Sequence, residues 1–161
     1  MSFGAGSLPP EVDGWPPDLL HYPQYYEGVT VRRLVAFLLD WAIIVMLLIV
    51  LHLAAGILTV LTFGLLAWLH LLLLPIVIAL AYHIAQLASP AAGTLGMRLF
   101  GLRAWSVLGA RPTSSQAALH AFCLYGSLAV TGGLVAVVAL FEPRRRTLHD
   151  MLAGVVVLRE I

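Results

Sequence analysis

One stretch limits what this chain can become: Arg32 to Leu58, RRLVAFLLDWAIIVMLLIVLHLAAGIL. Two arginines stand at its front edge, and one further charge follows, Asp40. An α-helix needs roughly 20 apolar residues to cross the hydrocarbon of a bilayer, and this run supplies them. Asp40 works against that. A carboxylate at mid-membrane costs about 2.5–3.5 kcal/mol on insertion scales, while each Leu or Ile returns about half a kcal/mol. The surrounding Leu, Ile, Val and Ala outweigh the penalty. Nothing in the stretch needs an acid for folding, so Asp40 is a functional candidate whose partner has to be found.

The remaining composition agrees. Of 161 residues, 61% are hydrophobic and 11% charged, against about 25% charged in a soluble domain; mean hydropathy is +0.96. The chain reads as a single-domain integral membrane protein that meets the lipid bilayer. A net charge of +1 argues against a nucleic-acid partner. All nine basic residues are Arg, grouped beside the apolar runs, whereas residues 1–31 hold Glu11, Asp13, Asp18 and Glu27 and no Arg or Lys. One cysteine, Cys123, excludes an intrachain disulfide and leaves no thiolate metal set. The N-terminus lacks the basic region and short apolar core of a secretory signal.

Residues 1–28 carry Pro9, Pro10, Pro16, Pro17 and Pro23 with Trp15, Tyr22, Tyr25 and Tyr26. Prolines at this density forbid a long helix, so we expect an extended, partly disordered tail, with a membrane domain over 29–161. Three hydrophobic helices are expected in an all-α chain, over about 33–56, 62–88 and 116–141. Residues 34–88 suffice for two spans and not three, which makes the first two an antiparallel hairpin joined by a short uncharged turn. Residues 91–115 read as a surface-lying loop, with LRAW at 102–105 as a candidate short strand. Met151–Leu158 is too short to span.

Arg in short loops favours the cytoplasm, which places the N-terminus and the central loop there, at a plasma membrane. A complete third crossing would carry Arg144, Arg145 and Arg146 outside, against that rule. Length favours the crossing and charge favours a re-entrant segment broken at Gly132-Gly133; we expect the crossing.

Several polar residues then share one leaflet. Arg33 and Asp40 are seven apart, nearly two turns, so they lie on one face about 10 Å apart along the axis. His83 lies about five residues, roughly 7–8 Å, inside the end of the second span, with Gln86 three residues on and on the same face. His120, near the start of the third, can join Asp40, His83 and Gln86 from the same side. An acid beside a histidine in low dielectric can hold or exchange a proton near neutral pH; the same groups can equally glue helices by hydrogen bonds. His52 and His70 fall toward the opposite leaflet. No histidine pair has i, i+4 metal spacing, so no metal and no cofactor are expected. Arg144 to Arg146 suit anionic headgroups or pairing with Asp150 or Asp40. No nucleophile elbow or phosphate-binding glycine loop is present, and TLHD offers only the neighbours His149 and Asp150. An enzyme is not expected.

RRLVAFLLD at 32–40, GTLGMRLFGLRAW at 93–105, ARPTSSQAALH at 110–120 and EPRRRTLHDMLAGVVVL at 142–158 together resemble the RDD membrane proteins, named for one arginine and two aspartates. The resemblance covers about residues 29–160. It implies Arg33 as the arginine, Asp40 as the first aspartate and Asp150 as the second. Met97, where a basic residue is common, and Val155, where Thr is common, depart from the pattern. The resemblance implies an integral membrane domain to which transport of a ligand, or cation–proton exchange, has been attributed.

Two functions follow as expectations. One is a transport-related protein for a proton, a cation or a small ligand, working as a homo-oligomer or with a partner membrane protein, with Asp40 as the key group. The other is a non-transporting accessory or assembly subunit, in which Arg33, Asp40 and Asp150 lock the first helix to the C-terminal segment.

Overall fold

The computed structural model describes residues 14–134 and 138–160. Helix α1 runs Val29–Leu61 and α2 runs Ala67–Leu87. Among the described residues these two are long and apolar enough to cross a membrane. The turn between them uses Gly64 at φ +85, a left-handed conformation that glycine adopts freely. Gly64 N–H donates to the Thr59 carbonyl, closing the end of α1. The helices run antiparallel: Tyr82 of α2 reaches Asp40 of α1 at one end, and His70 reaches Thr59 at the other. Pro75 lies inside α2.

After α2 the chain forms a short helix, α3 (Leu95–Leu99), and a strand, β1 (Leu102–Ser106). Gly96 presses α3 onto α1 so closely that a Cβ there would collide with the Ala36 carbonyl. Helix α4 (Ser114–Thr131) starts at Thr113, whose hydroxyl accepts from Gln116 N–H while Gln116 Oε1 accepts from Thr113 N–H. This reciprocal cap fixes the helix start. The helix ends at Gly132, φ +59, the left-handed stop that glycine permits. A four-residue helix α5 (Val138–Phe141), a short helix α6 (Leu148–Ala153) and strand β2 (Val155–Arg159) follow.

The strands pair antiparallel, with Leu102 opposite Arg159 and Ser106 opposite Val155. Side chains alternate across a strand, so the small sheet has two covered faces. Leu102, Ala104, Val155 and Val157 pack with Val29, Leu87, Ala117 and Ala153 of the helices. Trp105, Val156 and Leu158 pack with Tyr26, Trp15, Leu19 and Tyr25. Trp15 and Trp105 meet edge to face at 5.9 Å, the Trp15 indole donates to the Ser106 carbonyl, and Arg103 stacks on Trp105.

Three expectations need correction. The chain is not all-α: both faces of the segments 102–106 and 155–159 are buried, and that stabilises a sheet. The N-terminal segment is not uniformly extended, since residues 14–28 close over the sheet; residues 1–13 lie outside the described part. The stretch 116–141 is not one helix. Residues 135–137 of it are outside the described part, and the helix stops at Gly132. By Arg145 the chain has returned to α1, where Arg33 Nη1 donates to the Arg145 carbonyl at 3.4 Å.

Candidate functional site

The polar side chains gather at the end of the α1–α2 pair that carries α3 and the sheet, around two buried carboxylates. Asp40 is 2% exposed. Its Oδ1 accepts from Tyr82 Oη–H at 2.6 Å and from the Gly96 backbone N–H at 2.8 Å. Its Oδ2 accepts from Thr94 Oγ1–H at 2.5 Å. Thr94 is the N-cap of α3, its hydroxyl oxygen accepting in turn from Met97 N–H. One carboxylate therefore holds α1, α2 and the central loop together, through neutral donors. No ion pair to Asp40 occurs among the described residues.

Asp150 is fully buried. Arg33 Nη2 lies 2.5 Å from its Oδ2, and Thr147 donates to the same oxygen from its backbone N–H and its hydroxyl, each at 2.8 Å. His120 Nε2 lies 3.0 Å from Oδ1. Burial alone would raise this carboxyl, but the Arg33 guanidinium, and after it the hydrogen bond and charge of His120, hold it well below the usual carboxylate range.

Thr147 has one hydroxyl hydrogen. Given to Asp150, it leaves Thr147 Oγ1 to accept from His149 Nε2, 2.7 Å away. Burial pushes the His149 imidazole down to about 3, against the pull of Asp150, so this ring is neutral near pH 7. The Nδ1 atoms of His120 and His149 are buried without a hydrogen-bond partner among the described residues.

His120, His149 and Asp150 present ligand atoms within 4.8 Å of one another, a spacing that suits a metal ion. The electrostatics do not suit one. Both Asp150 oxygens are engaged, and Arg33 already places a positive charge on that carboxylate.

The residues singled out from sequence fall into separate pairings. Arg33 meets Asp150, not Asp40. His83 Nδ1 lies 2.8 Å from the Tyr125 hydroxyl. Gln86 Oε1 accepts from Arg98 Nη2 at 2.8 Å. His120 meets Asp150. Asp40, His83, Gln86 and His120 are thus each bonded to other residues, to Tyr82, Tyr125, Arg98 and Asp150 respectively. Of the three consecutive arginines, Arg146 pairs with Glu142 rather than with either aspartate, at 2.9 Å. Burial opposes the Glu142 charge, but hydrogen bonds from Arg146 lower its carboxyl overall.

Tyr82, Thr94, Gly96, Tyr125, Thr147 and His149 were not anticipated as members. Thr94 and Thr147 carry a readable signal, since each precedes a helical turn as an N-cap. Tyr82 and Tyr125 carry none, because an aromatic in an apolar run reads as packing.

The comparisons with known proteins bear on this arrangement. No curated protein and no solved structure matches the chain. The model of the RDD family matches residues 28–154, a span that includes Arg33, Asp40 and Asp150. That match covers well over half of the sequence, and the chain belongs to the RDD family.

Proposed function

We propose that this RDD protein is a non-transporting accessory or assembly subunit of a membrane complex, in which the arginine and both aspartates are structural anchors. The observation that carries this reading is the engagement of both carboxylates within the chain. Asp40 accepts three hydrogen bonds from α2 and the central loop. Asp150 is held by Arg33, His120 and Thr147. A carrier carboxylate has to exchange its partners during each cycle. Here a cation reaching Asp40 would first have to displace Tyr82, Thr94 and Gly96, which would detach the central loop from α1.

In this reading α1 and α2 cross a bacterial plasma membrane as a hairpin. The N-terminal segment, α3, the sheet and α6 lie on the cytoplasmic side. Arg32, Arg33, Arg98, Arg103, Arg111 and Arg144 to Arg146 then share that side, as positive charge in short loops favours, and the turn at 62–66 carries no charge. The third apolar segment enters with α4 and turns back after Gly132, which removes the conflict that a full crossing creates. The exposed Leu, Ile and Val of α1 and α2 face lipid, a second copy or a larger membrane partner.

A second reading, cation–proton exchange, draws on the depth of Asp40 and on its hydrogen bond to Tyr82. One experiment separates the two: cation flux under an imposed pH gradient in proteoliposomes of the full chain, with Asp40→Asn beside it. The anchor reading expects flux no greater than in empty liposomes and a destabilised variant. Flux that Asp40→Asn abolishes while the variant stays folded establishes the carrier.

A further inference from the structure

Helix α3 lies along the first turns of α1 and runs antiparallel to them. Gly96 of α3 sits against Ala36 and Asp40, while the Phe100 carbonyl, one turn on, accepts from Arg32 Nη1 at 2.9 Å. Arg98, between those two points, turns to α2, where its Nη2 donates to Gln86 Oε1. Two guanidinium groups therefore flank α3 at the polar end of the helix pair. Each described acid other than Asp40 has a base of its own: Asp18 has His21, Glu27 has Arg159, Glu142 has Arg146, Asp150 has Arg33 and Glu160 has Arg103. Among the described residues no acid pairs with Arg32 or Arg98. Their hydrogen bonding is incomplete as well. Arg98 Nε is buried without a partner among the described residues. Arg98 Nη1 and Arg32 Nε and Nη2 are neither bonded nor buried among them.

The surface beside these charges is apolar. On α3, Leu95 and Leu99 are four apart and share a face, 42% and 69% exposed. On α1, Val35 is exposed too; it and Leu39 follow Arg32 by three and seven residues, down the same side of the helix. Positive charge without a counter-ion thus stands at the head of an apolar strip that leads toward the hydrocarbon layer. A free anion meets the guanidinium groups and leaves the strip uncovered. A zwitterionic lipid brings an amine that finds no unengaged acid beside it among the described residues. We propose that this end of α3 binds an anionic phospholipid. Its phosphate accepts from Arg32 and Arg98, as guanidinium groups favour, and an acyl chain lies over Leu99, Leu95 and Val35. The site rests on α1 and α2 crossing a bilayer, and it holds whether the protein is an accessory subunit or a carrier.

The test uses the full chain in detergent micelles, with bound lipid counted by native mass spectrometry and dioleoyl phosphatidylglycerol, dioleoyl phosphatidylcholine and glycerol phosphate as probes. Phosphatidylglycerol should bind the wild-type chain at least about tenfold more tightly than phosphatidylcholine, the scale of one charge-assisted hydrogen bond. The Arg32→Gln/Arg98→Gln double variant should bring that ratio close to one. Leu99→Glu, at an exposed position, should lower it too by placing a carboxylate beside the phosphate. Arg111→Gln/Arg144→Gln should keep it. Equal binding of the two lipids by the wild-type chain overturns the proposal. So does a preference that survives in a folded Arg32/Arg98 variant, or one lost equally in the Arg111/Arg144 variant, which would describe a general attraction of charge. Glycerol phosphate binding as tightly as phosphatidylglycerol overturns the role of the apolar strip. Where the Arg32/Arg98 variant does not fold, an unchanged ratio in Leu99→Glu overturns the site. Release of the chain from membranes by alkaline carbonate contradicts the crossing itself, whereas retention with equal binding of the two lipids removes the headgroup site alone.

Discussion

Arg33, in the second turn of α1, and Asp150, in the first turn of α6, form an ion pair at 2.5 Å whose carboxylate is wholly buried. The pair joins the beginning of the folded chain to its end. Around it the chain closes a second time, through β1 against β2. A buried ion pair is weak evidence of net stability, because desolvation offsets the attraction. Breaking it is costly all the same: with Asp150 buried, a chain that brings Arg33 anywhere else leaves a carboxylate in a low dielectric without its counter-charge.

Asp40→Asn tests the first carboxylate. The aspartate accepts on both oxygens, and asparagine keeps one acceptor and turns an NH2 toward a donor. At least one of Tyr82, Thr94 and Gly96 is then unsatisfied, at about 1–3 kcal/mol. The expected outcome is a lower midpoint of thermal unfolding in detergent, with Thr94→Ala showing a smaller loss in the same direction. An Asp40→Asn midpoint equal to the wild type's would remove the anchoring role.

Gly96→Ala tests the close approach of α3. The added Cβ meets the Ala36 carbonyl, which is backbone and cannot step aside. Overpacking of this kind costs about 1–3 kcal/mol. Protease cleavage between residues 89 and 106 should become faster. Gly56→Ala is the control, since a Cβ there meets nothing within 4 Å, and it should leave cleavage unchanged.

The arginine and the two aspartates stood out in the sequence as groups in need of partners, as did His83, Gln86 and His120. The reason is physical: in an apolar run each ionisable group stands out and demands a partner. Which partner it takes was not legible. Arg33 lies on the same helix face as Asp40, and only the return of residues 143–150 supplies the competing carboxylate. That return depends on the stop at Gly132, where sequence offered a helix-length apolar run and a Gly pair in conflict. LRAW was legible as a short strand, but its pairing was not, for a related reason. LRAWS and VVVLR are five residues each, and neither declares a partner until the chain brings them side by side beneath Trp15 and Tyr26.

His149 gives the fold a pH dependence. Its imidazole falls from the ordinary value near 6.5 to about 3 in the folded chain. The unfolded chain therefore binds more protons between those values, and stability rises with pH there. This contribution is complete above about pH 6.5 and is lost as pH falls toward 3, at up to about 1.4 kcal/mol per pH unit. Asp150 is also depressed, so its contribution is complete above about pH 4 and is lost as pH falls from there through its own lowered value. Chemical denaturation of wild type and His149→Gln between pH 7 and 4.5 should show a steeper loss in the wild type. Parallel curves would contradict the assignment.

Trp15→Ala tests the covering of the sheet. The substitution removes the edge contact with Trp105 and the hydrogen bond to the Ser106 carbonyl. Truncating a large aromatic costs about 3–5 kcal/mol at full burial, and Trp15 is partly exposed, so a loss of about 2 kcal/mol is expected. Hydrogen exchange at Val156 and Leu158 should quicken.

The most direct measurement is a double-mutant cycle on the pair that closes the chain. Arg33→Met, Asp150→Leu and the double variant are compared with the wild type by unfolding in detergent. Each single variant should lose about 3 kcal/mol, because it leaves one charge buried or one apolar group against a guanidinium. The double variant should lose clearly less than the two losses combined, with a coupling of at least about 1 kcal/mol. Losses that simply add, or single variants as stable as the wild type, would mean that Arg33 and Asp150 do not hold the two ends of the chain together.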